Sequence, residues 1–248
     1  MLASFHLVRY RARSLIPAQG RALGLDRRAV GRVEGLRFWR SLVLGIGPPE
    51  RPRGLPVPAP RCSAFLAVWD DEAALDDFLE TSPVSQRWEA HAKERWHVRL
   101  EPVHTHGTWG GTNPFAGGGS KPVEGPGAVL TFINLRAKGF LPFWQTMPVV
   151  SNQLVGQPGF LVGVGLTDAP PGTLRRNVTF SLWRSLDDAM DFAYRQPQHD
   201  DAVRRSRDKK WDLETCFARF RPYGSVGTWN GRDPLSADRS ADDVYQDE

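Results

Sequence analysis

The sequence predicts an α+β fold in which two tandem β-α-β-β-α-β units close on each other as one α/β barrel. The first observation behind this is a repeat. Residues 69–83 (WDDEAALDDFLETSP) lie on residues 183–197 (WRSLDDAMDFAYRQP) at a constant offset of 114, with Trp, Asp, Phe and Pro coinciding. The second is a matching pair of turns, HGTWGGTNPF at 106–115 and VGTWNGRDPL at 226–235. The third is that apolar periodicity gives both copies the same order of elements.

In the first copy FHLVRYR, near 5–11, reads as a strand, an Arg-rich segment with helical stretches runs to Glu34, and LRFWRSLVL is the second strand. Six prolines in GIGPPERPRGLPVPAPR, 45–61, require a loop, because proline fixes φ and lacks the amide donor. SAFLAVW is the third strand, 70–96 reads as helix with a break at Pro83, and HVRLEPV closes the unit. The second copy follows suit: AVLTFINLR strand, FLPFWQTMPVVSNQL helix, GFLVGVGL and NVTFSLW strands, 186–211 helix, ETCFARFRP strand. Six of the nine tryptophans fall in repeat pairs, with Trp96 set near the place of Trp211.

The units that follow are 1–115, a Gly/Pro-rich linker at 116–127 (AGGGSKPVEGPG), 128–235, and an acidic tail at 236–248. A split β-α-β unit makes a four-stranded antiparallel sheet with helices on one face. FLVGVGL shows no polar alternation, so its sheet is buried on the other face as well. Two such ferredoxin-like sheets bury those faces by packing face to face. A cavity between the sheets, or between sheet and helices, is then the expected ligand site.

Composition narrows the function classes. With 40% apolar and 24% charged residues over 248 positions, the chain fills a core and is not disordered. Two distant cysteines, Cys62 and Cys216, form no disulfide framework or zinc cluster and fit a reducing cytoplasm. The longest apolar runs, VLTFINL and FLVGVGL, are about a third of the roughly 20 residues a transmembrane segment needs. Arg9, Arg11 and Arg13 occupy the place where a signal peptide carries its apolar stretch.

Charge is uneven. The last thirteen residues carry a net −4 and the other 235 carry +8. Of the 32 basic residues 27 are Arg, the better fork for carboxylates and phosphates. They are spread through periodic segments, with no zinc finger, RNP-like strand or basic helix, which argues for an anionic small ligand and against nucleic acid. The glycines of GTWGG and GTWNG lack the Lys and spacing of a phosphate loop and read as structural turns.

FWRSL at 38–42, LAVWDDEAALDDFL at 66–79, FSLWRSLDDAMDFAYRQPQHDDAVRRSRDKKW at 180–211, CFARFRP at 216–222 and the two GTWxGxxP segments resemble spheroidene monooxygenase and its bacterial relatives, over about 5–235. The resemblance implies a haem-containing oxygenase that uses dioxygen and reduced ferredoxin. Haem b is then the cofactor, an apolar small molecule the substrate, and a ferredoxin-type protein the electron donor. A homo-oligomer is compatible with it.

A haem iron needs an axial ligand, and imidazole is the commonest. Of the six histidines, His199 lies in the matching stretch, just after Pro197, and its position in the first copy is Ser85. A residue present in one copy alone is free to be functional, so His199 is the expected ligand; the alternative is an exposed helix histidine. His91 and a Cys216 thiolate are the other candidate ligands. Propionates favour Arg forks, and Arg195 and Arg184 are the candidates, with Arg204 and Arg205 further on. Trp183 and Phe192 repeat Trp69 and Phe78 and read first as core, with a place in the pocket wall open to them. Asn134 shares a strand face with Phe132 and Leu130, either as hydrogen-bond donor to bound dioxygen or as a polar group satisfied by backbone or buried water.

The expected function is haem-dependent monooxygenation of an apolar substrate. The alternatives are cofactor-free oxygenation of the antibiotic-biosynthesis-monooxygenase type and a non-catalytic haem- or carotenoid-binding protein.

Overall fold

The computed structural model describes residues 1–12, 25–44, 61–119, 124–154, 156–168, 174–195, 204 and 208–236. The first half holds β1 (Leu2–Tyr10), α1 (Leu25–Val30), β2 (Leu36–Leu44), β3 (Cys62–Trp69), α2 (Glu72–Thr81), α3 (Pro83–His91) and β4 (Ala92–Gly107). The second holds β5 (Gly127–Leu135), α4 (Ala137–Leu154), β6 (Phe160–Asp168), β7 (Arg176–Trp183), α5 (Leu186–Arg195) and β8 (Asp212–Gly227). The expected loop at 45–60 and the expected helical stretch at 196–203 lie outside the described residues.

The eight strands form a closed barrel in the order β1-β3-β2-β6-β7-β5-β8-β4, with antiparallel pairing throughout. The two sheets are therefore joined edge to edge as well as sharing an interior, and make the one α/β barrel that the sequence predicts. One seam is long, running from Trp96↔Gly227 to Gly107↔Cys216. The other is short, from Leu42↔Asp168 to Leu44↔Leu166. Closure leaves no free sheet edge for other chains to pair with.

Local sequence sets the helix ends. Asp71 caps α2 by accepting from the Ala74 amide at 3.0 Å, and Ser82 caps α3 by accepting from Val84, with Pro83 at the first position. In the second half Ser185 and Asp188 form the corresponding cap of α5.

Two expectations are corrected here. Helix does not extend to Trp96, because β4 begins at Ala92. Trp96, Val98 and Leu100 alternate into the barrel at 0–1% exposure, and pairing with β1 and β8 outweighs helical periodicity. Trp96 pairs opposite Leu7 as Cys216 pairs opposite Phe132, so its partner in the repeat is Cys216. Trp211 instead lies against Gly139 of α4, leaving four duplicated tryptophans rather than six.

The GTW turns are reciprocal clasps. Thr108 Oγ1 and the Gly111 amide donate to Glu214 at 2.9 and 2.8 Å, while Thr228 and Gly231 hold Glu94 at 3.2 and 2.7 Å. Gly111 and Gly231 sit at φ +84° and +78°, a conformation that favours glycine. Each turn thus fastens one half to the other and folds Trp109 or Trp229 into the core, as the duplicated motif predicts.

Candidate functional site

The barrel lumen is not the site. Phe5 and Phe180 stack across it at 3.9 Å, and Trp96, Trp109, Phe115, Phe132 and Phe220 fill the remainder at 0–1% exposure. At one end Asp168, 3% exposed, accepts from Trp109 Nε1 at 3.2 Å and pairs with Arg176 at 2.8 Å and Arg40 at 3.6 Å. These polar groups sustain the fold, and the expectation of a cavity between the sheets is corrected accordingly.

The helix-covered outer faces differ between the halves. In the first half the face is packed with rings: Phe65 stacks on Phe78 at 5.7 Å and on Trp39 at 6.1 Å, with Trp88 against both Phe65 and Phe78. Strand register supplies the counterparts. Trp39 pairs with Ala67 and Ser41 with Phe65; Gly163 pairs with Ser181 and Gly165 with Thr179. Gly163 therefore takes the place of Trp39, and Thr179 that of Phe65.

The second half's outer face runs from Gly163 through Ser181 and Val129 to Arg219 and His104 in one row, and from Gly165 through Thr179 and Thr131 to Phe217 and His106 in the next. All but the exposed His104 and His106 are half-buried. Small side chains have replaced an indole and a phenyl ring beneath helices in the same positions, and a flat apolar ligand fits such a slot. Over Gly163 itself stand the Phe160 ring and Leu154, which a Cβ would meet at 2.9 and 3.4 Å, so the absent side chain gives its place to these two neighbours. On α4 the buried Trp144 has an indole Nε1 without a partner, a donor in want of an acceptor.

The expected site residues separate into groups. Trp183 meets the Phe160 ring edge-on at 5.3 Å and lies tilted against Phe192 at 5.6 Å, and Val129 and Leu154 pack on this small cluster. Arg184 is exposed at the turn before α5, while Arg195 ends that helix, about 15 Å away at 1.5 Å per residue. One cluster does not include both. Asn134 lies on the lumen face, in register with Arg176 and Glu214. It shares the face of Phe132, as the alternation implies, and is not brought together with Trp183 and Phe192. His199 and Arg205 lie outside the described residues, as does the side chain of Arg195.

The competing ligands are also placed. Cys216 is fully buried in the lumen, and burial, with the Glu214 charge, pushes its thiol up to about 11, far from a thiolate. His91 ends α3 just before Ala92 of β4, thirteen residues ahead of His104, where that strand meets the second half's outer face.

A cleft of about 240 Å³ on the first half is lined by Leu79, Glu80, Ser85, Gln86, Arg95 and His97. Ser85 is 2% exposed and donates to Leu79 O at 2.8 Å. His97 stacks on the fully buried His6 at 5.2 Å, and burial followed by the Arg95 charge lowers His97 to about 4. Burial, followed by the His97 charge, holds His6 well below the usual histidine range as well. The sequence puts His6 and His97 at strand ends or strand surfaces, and the structure corrects this by burying His6 and half-burying His97, because β-strand alternation does not tell a buried face from a wet one when both carry His.

No family model matches this chain. It is 31% identical over 239 residues to spheroidene monooxygenase of Rhodobacter capsulatus, covering 95% of this chain and 96% of that protein. To the spheroidene monooxygenase of Rubrivivax gelatinosus it is 34% identical over 198 residues, covering 80% and 73%. The solved structure of an aldoxime dehydratase superposes with a TM-score of 0.58 at 13% identity, over 91% of this chain and 83% of that one. That likeness shows the fold.

The fold defines a class: a tandem ferredoxin-like α/β barrel whose two helix-covered faces differ in their side chains. Within that class the chain belongs to the spheroidene monooxygenase family, and it is an oxidoreductase. Among the described residues no helix is long and apolar enough to cross a membrane.

Proposed function

We propose that the chain is a haem-dependent monooxygenase that oxidises an apolar small molecule with dioxygen and electrons from a separate donor such as a ferredoxin. The observation that carries this is the exchange of Trp39 and Phe65 for Gly163 and Thr179, which takes from the second half's outer face two rings that the first half holds. The residues fit the group. The slot is flat and lined by small side chains, and Trp144 Nε1 offers an unspent donor beside α4. When bound, haem supplies the activation of dioxygen, and the protein contributes binding, orientation and exclusion of water.

His199 is the proposed axial ligand. The repeat places it where Ser85 stands in the first half, buried on α3 and lining the cleft beside His97. Trp183 and Phe192 form the apolar end wall, which excludes water from the slot. Arg195, four residues before His199 in the sequence, suits a propionate; Arg184, exposed before the first turn of α5, is the other proposed partner. Asn134 faces the lumen and has no part in this slot.

Protein produced with a haem precursor is expected to carry a Soret band. His199→Ala should abolish it or shift it to that of a weakly bound species. A wild-type protein that stays colourless after haem reconstitution would favour cofactor-free oxygenation, and an unchanged spectrum in the variant would remove His199 from the iron.

A further inference from the structure

Arg219 is an arginine whose protein partners are missing. In the first half its counterpart, Arg99 on β4, donates to Glu72 at 2.9 Å and Asp76 at 2.5 Å on α2, and Tyr223 donates to the same Glu72 at 3.3 Å. The long strands align at an offset of 120 and the helices at 114. Arg219 then stands at Arg99's position, Leu186 and Met190 at those of Glu72 and Asp76, and Val103 at that of Tyr223. Every polar partner has an apolar counterpart, while the guanidinium remains.

Its placement follows from register. Ala218 and Phe220 point into the lumen at 1% and 0% exposure, so Arg219 stands half-buried on the outer face, paired with Val129 of β5 and His104 of β4. That row continues through Ser181 to Gly163, the floor of the slot. Above it, Leu186 packs so closely on β5 that a Cβ on Gly127 would fall 2.4 Å from its Cδ2. Among the described residues Arg219 makes no hydrogen bond or ion pair, whereas its neighbour Arg221 holds Glu101. This half-buried guanidinium stands beside His104 and His106, which bring no negative charge, and among the described residues no carboxylate is bound to it.

We propose that Arg219 binds a carboxylate of the ligand that fills the second-half slot, and with haem as that ligand the group is a propionate. This rests on the haem reading above. The guanidinium fork matches a carboxylate in geometry and charge, and the ligand replaces the acids that the first half supplies from its own helix. Arg219 is a binding residue at the rim, distinct from Arg195 and Arg184.

The test compares acids with esters. Full-length apoprotein is titrated with haem and with haem dimethyl ester by absorbance, and with protoporphyrin IX and its dimethyl ester by fluorescence quenching, which needs no iron ligand. Arg219→Gln is expected to weaken haem and protoporphyrin IX by roughly tenfold or more, and to leave both esters within about twofold. Met190→Asp keeps the arginine but rebuilds the acid that Asp76 provides, and should give the same selective loss in a folded protein. Equal loss for acids and esters, or no loss for either, overturns the assignment while leaving the haem reading in place. A wild-type protein that binds neither haem nor protoporphyrin IX overturns both.

Discussion

Replacing Thr179 by Phe would give the second half the ring that fills the first. Phe65, its counterpart, is 3% exposed and stacks on Phe78 at 5.7 Å and 12°. Phe192 corresponds to Phe78 and is already in place at 8% exposure. If the slot is open, the new ring buries on the order of 100 Å² of apolar surface, about 2.5 kcal/mol at 25 cal/mol per Å². Freezing the side chain takes back about 1 kcal/mol, leaving a net gain of about 1.5 kcal/mol. For a chain of this size that raises the unfolding midpoint by roughly 3–6 °C. The same ring occupies the proposed ligand space, so haem affinity should fall at least tenfold. Differential scanning calorimetry and a Soret titration on one preparation read both effects. A midpoint lowered by several degrees would show that the slot is already filled, since overpacking costs about 1–3 kcal/mol. Unchanged haem affinity would refute the slot as the binding site.

Two further outcomes follow from the buried polar groups. His6 and His97 are held neutral, chiefly by burial, with folded values below those of the unfolded chain. The unfolded state therefore binds more protons between about pH 6.5 and 4, so stability is full above that window and declines as pH falls through it. The slope is at most about 1.4 kcal/mol per pH unit for each group, and about half that for the half-buried His97. His97→Phe, which installs the residue the second half carries at Phe217, should flatten the unfolding midpoint between pH 6.5 and 5; an unaltered slope would refute the linkage. Arg176→Met removes the closer of the two cations on buried Asp168. With Arg40 and Trp109 retained, the loss should be about 2 kcal/mol, read as a midpoint roughly 4–8 °C lower, and a shift under about 1 °C would refute a stabilising role for the pair.

Much of this molecule was legible in the sequence because the chain is written twice. A strand or helix that recurs at a fixed spacing, with Trp69 over Trp183 and the GTW turns over each other, has two chances to reveal its type. LRFWRSLVL matched β2 from Leu36 to Leu44 for that reason. Where the copies diverge, local pattern misled. Residues 92–96 continue a helix by composition, yet belong to β4, because long-range pairing with β1 and β8 is invisible to a short window. Matching Trp96 with Trp211 failed on the same ground: one lines the lumen and the other supports α4.

The site was less legible. Unduplicated residues are a sound signal of function, and they led to His199; the same reasoning applied to absences leads to Gly163 and Thr179, where an aromatic residue in one copy is small in the other. Arg219 is duplicated, and so passed as architecture. Only its partners differ, and they sit on another element 33 and 29 residues away, at Leu186 and Met190.

The sequence by itself determined the element order, the duplication, the reciprocal turns and the family, since these depend on periodicity and on residues close together in the chain. Tertiary structure decided which face of each strand is core and which is open. That choice is made by closure. Joining β2 to β6 and β4 to β8 turns one face of every strand into a lumen filled by stacked rings, and leaves any ligand only the face beneath the helices. There the first half sets stacked aromatic side chains, and the second half sets glycines and threonines in their places.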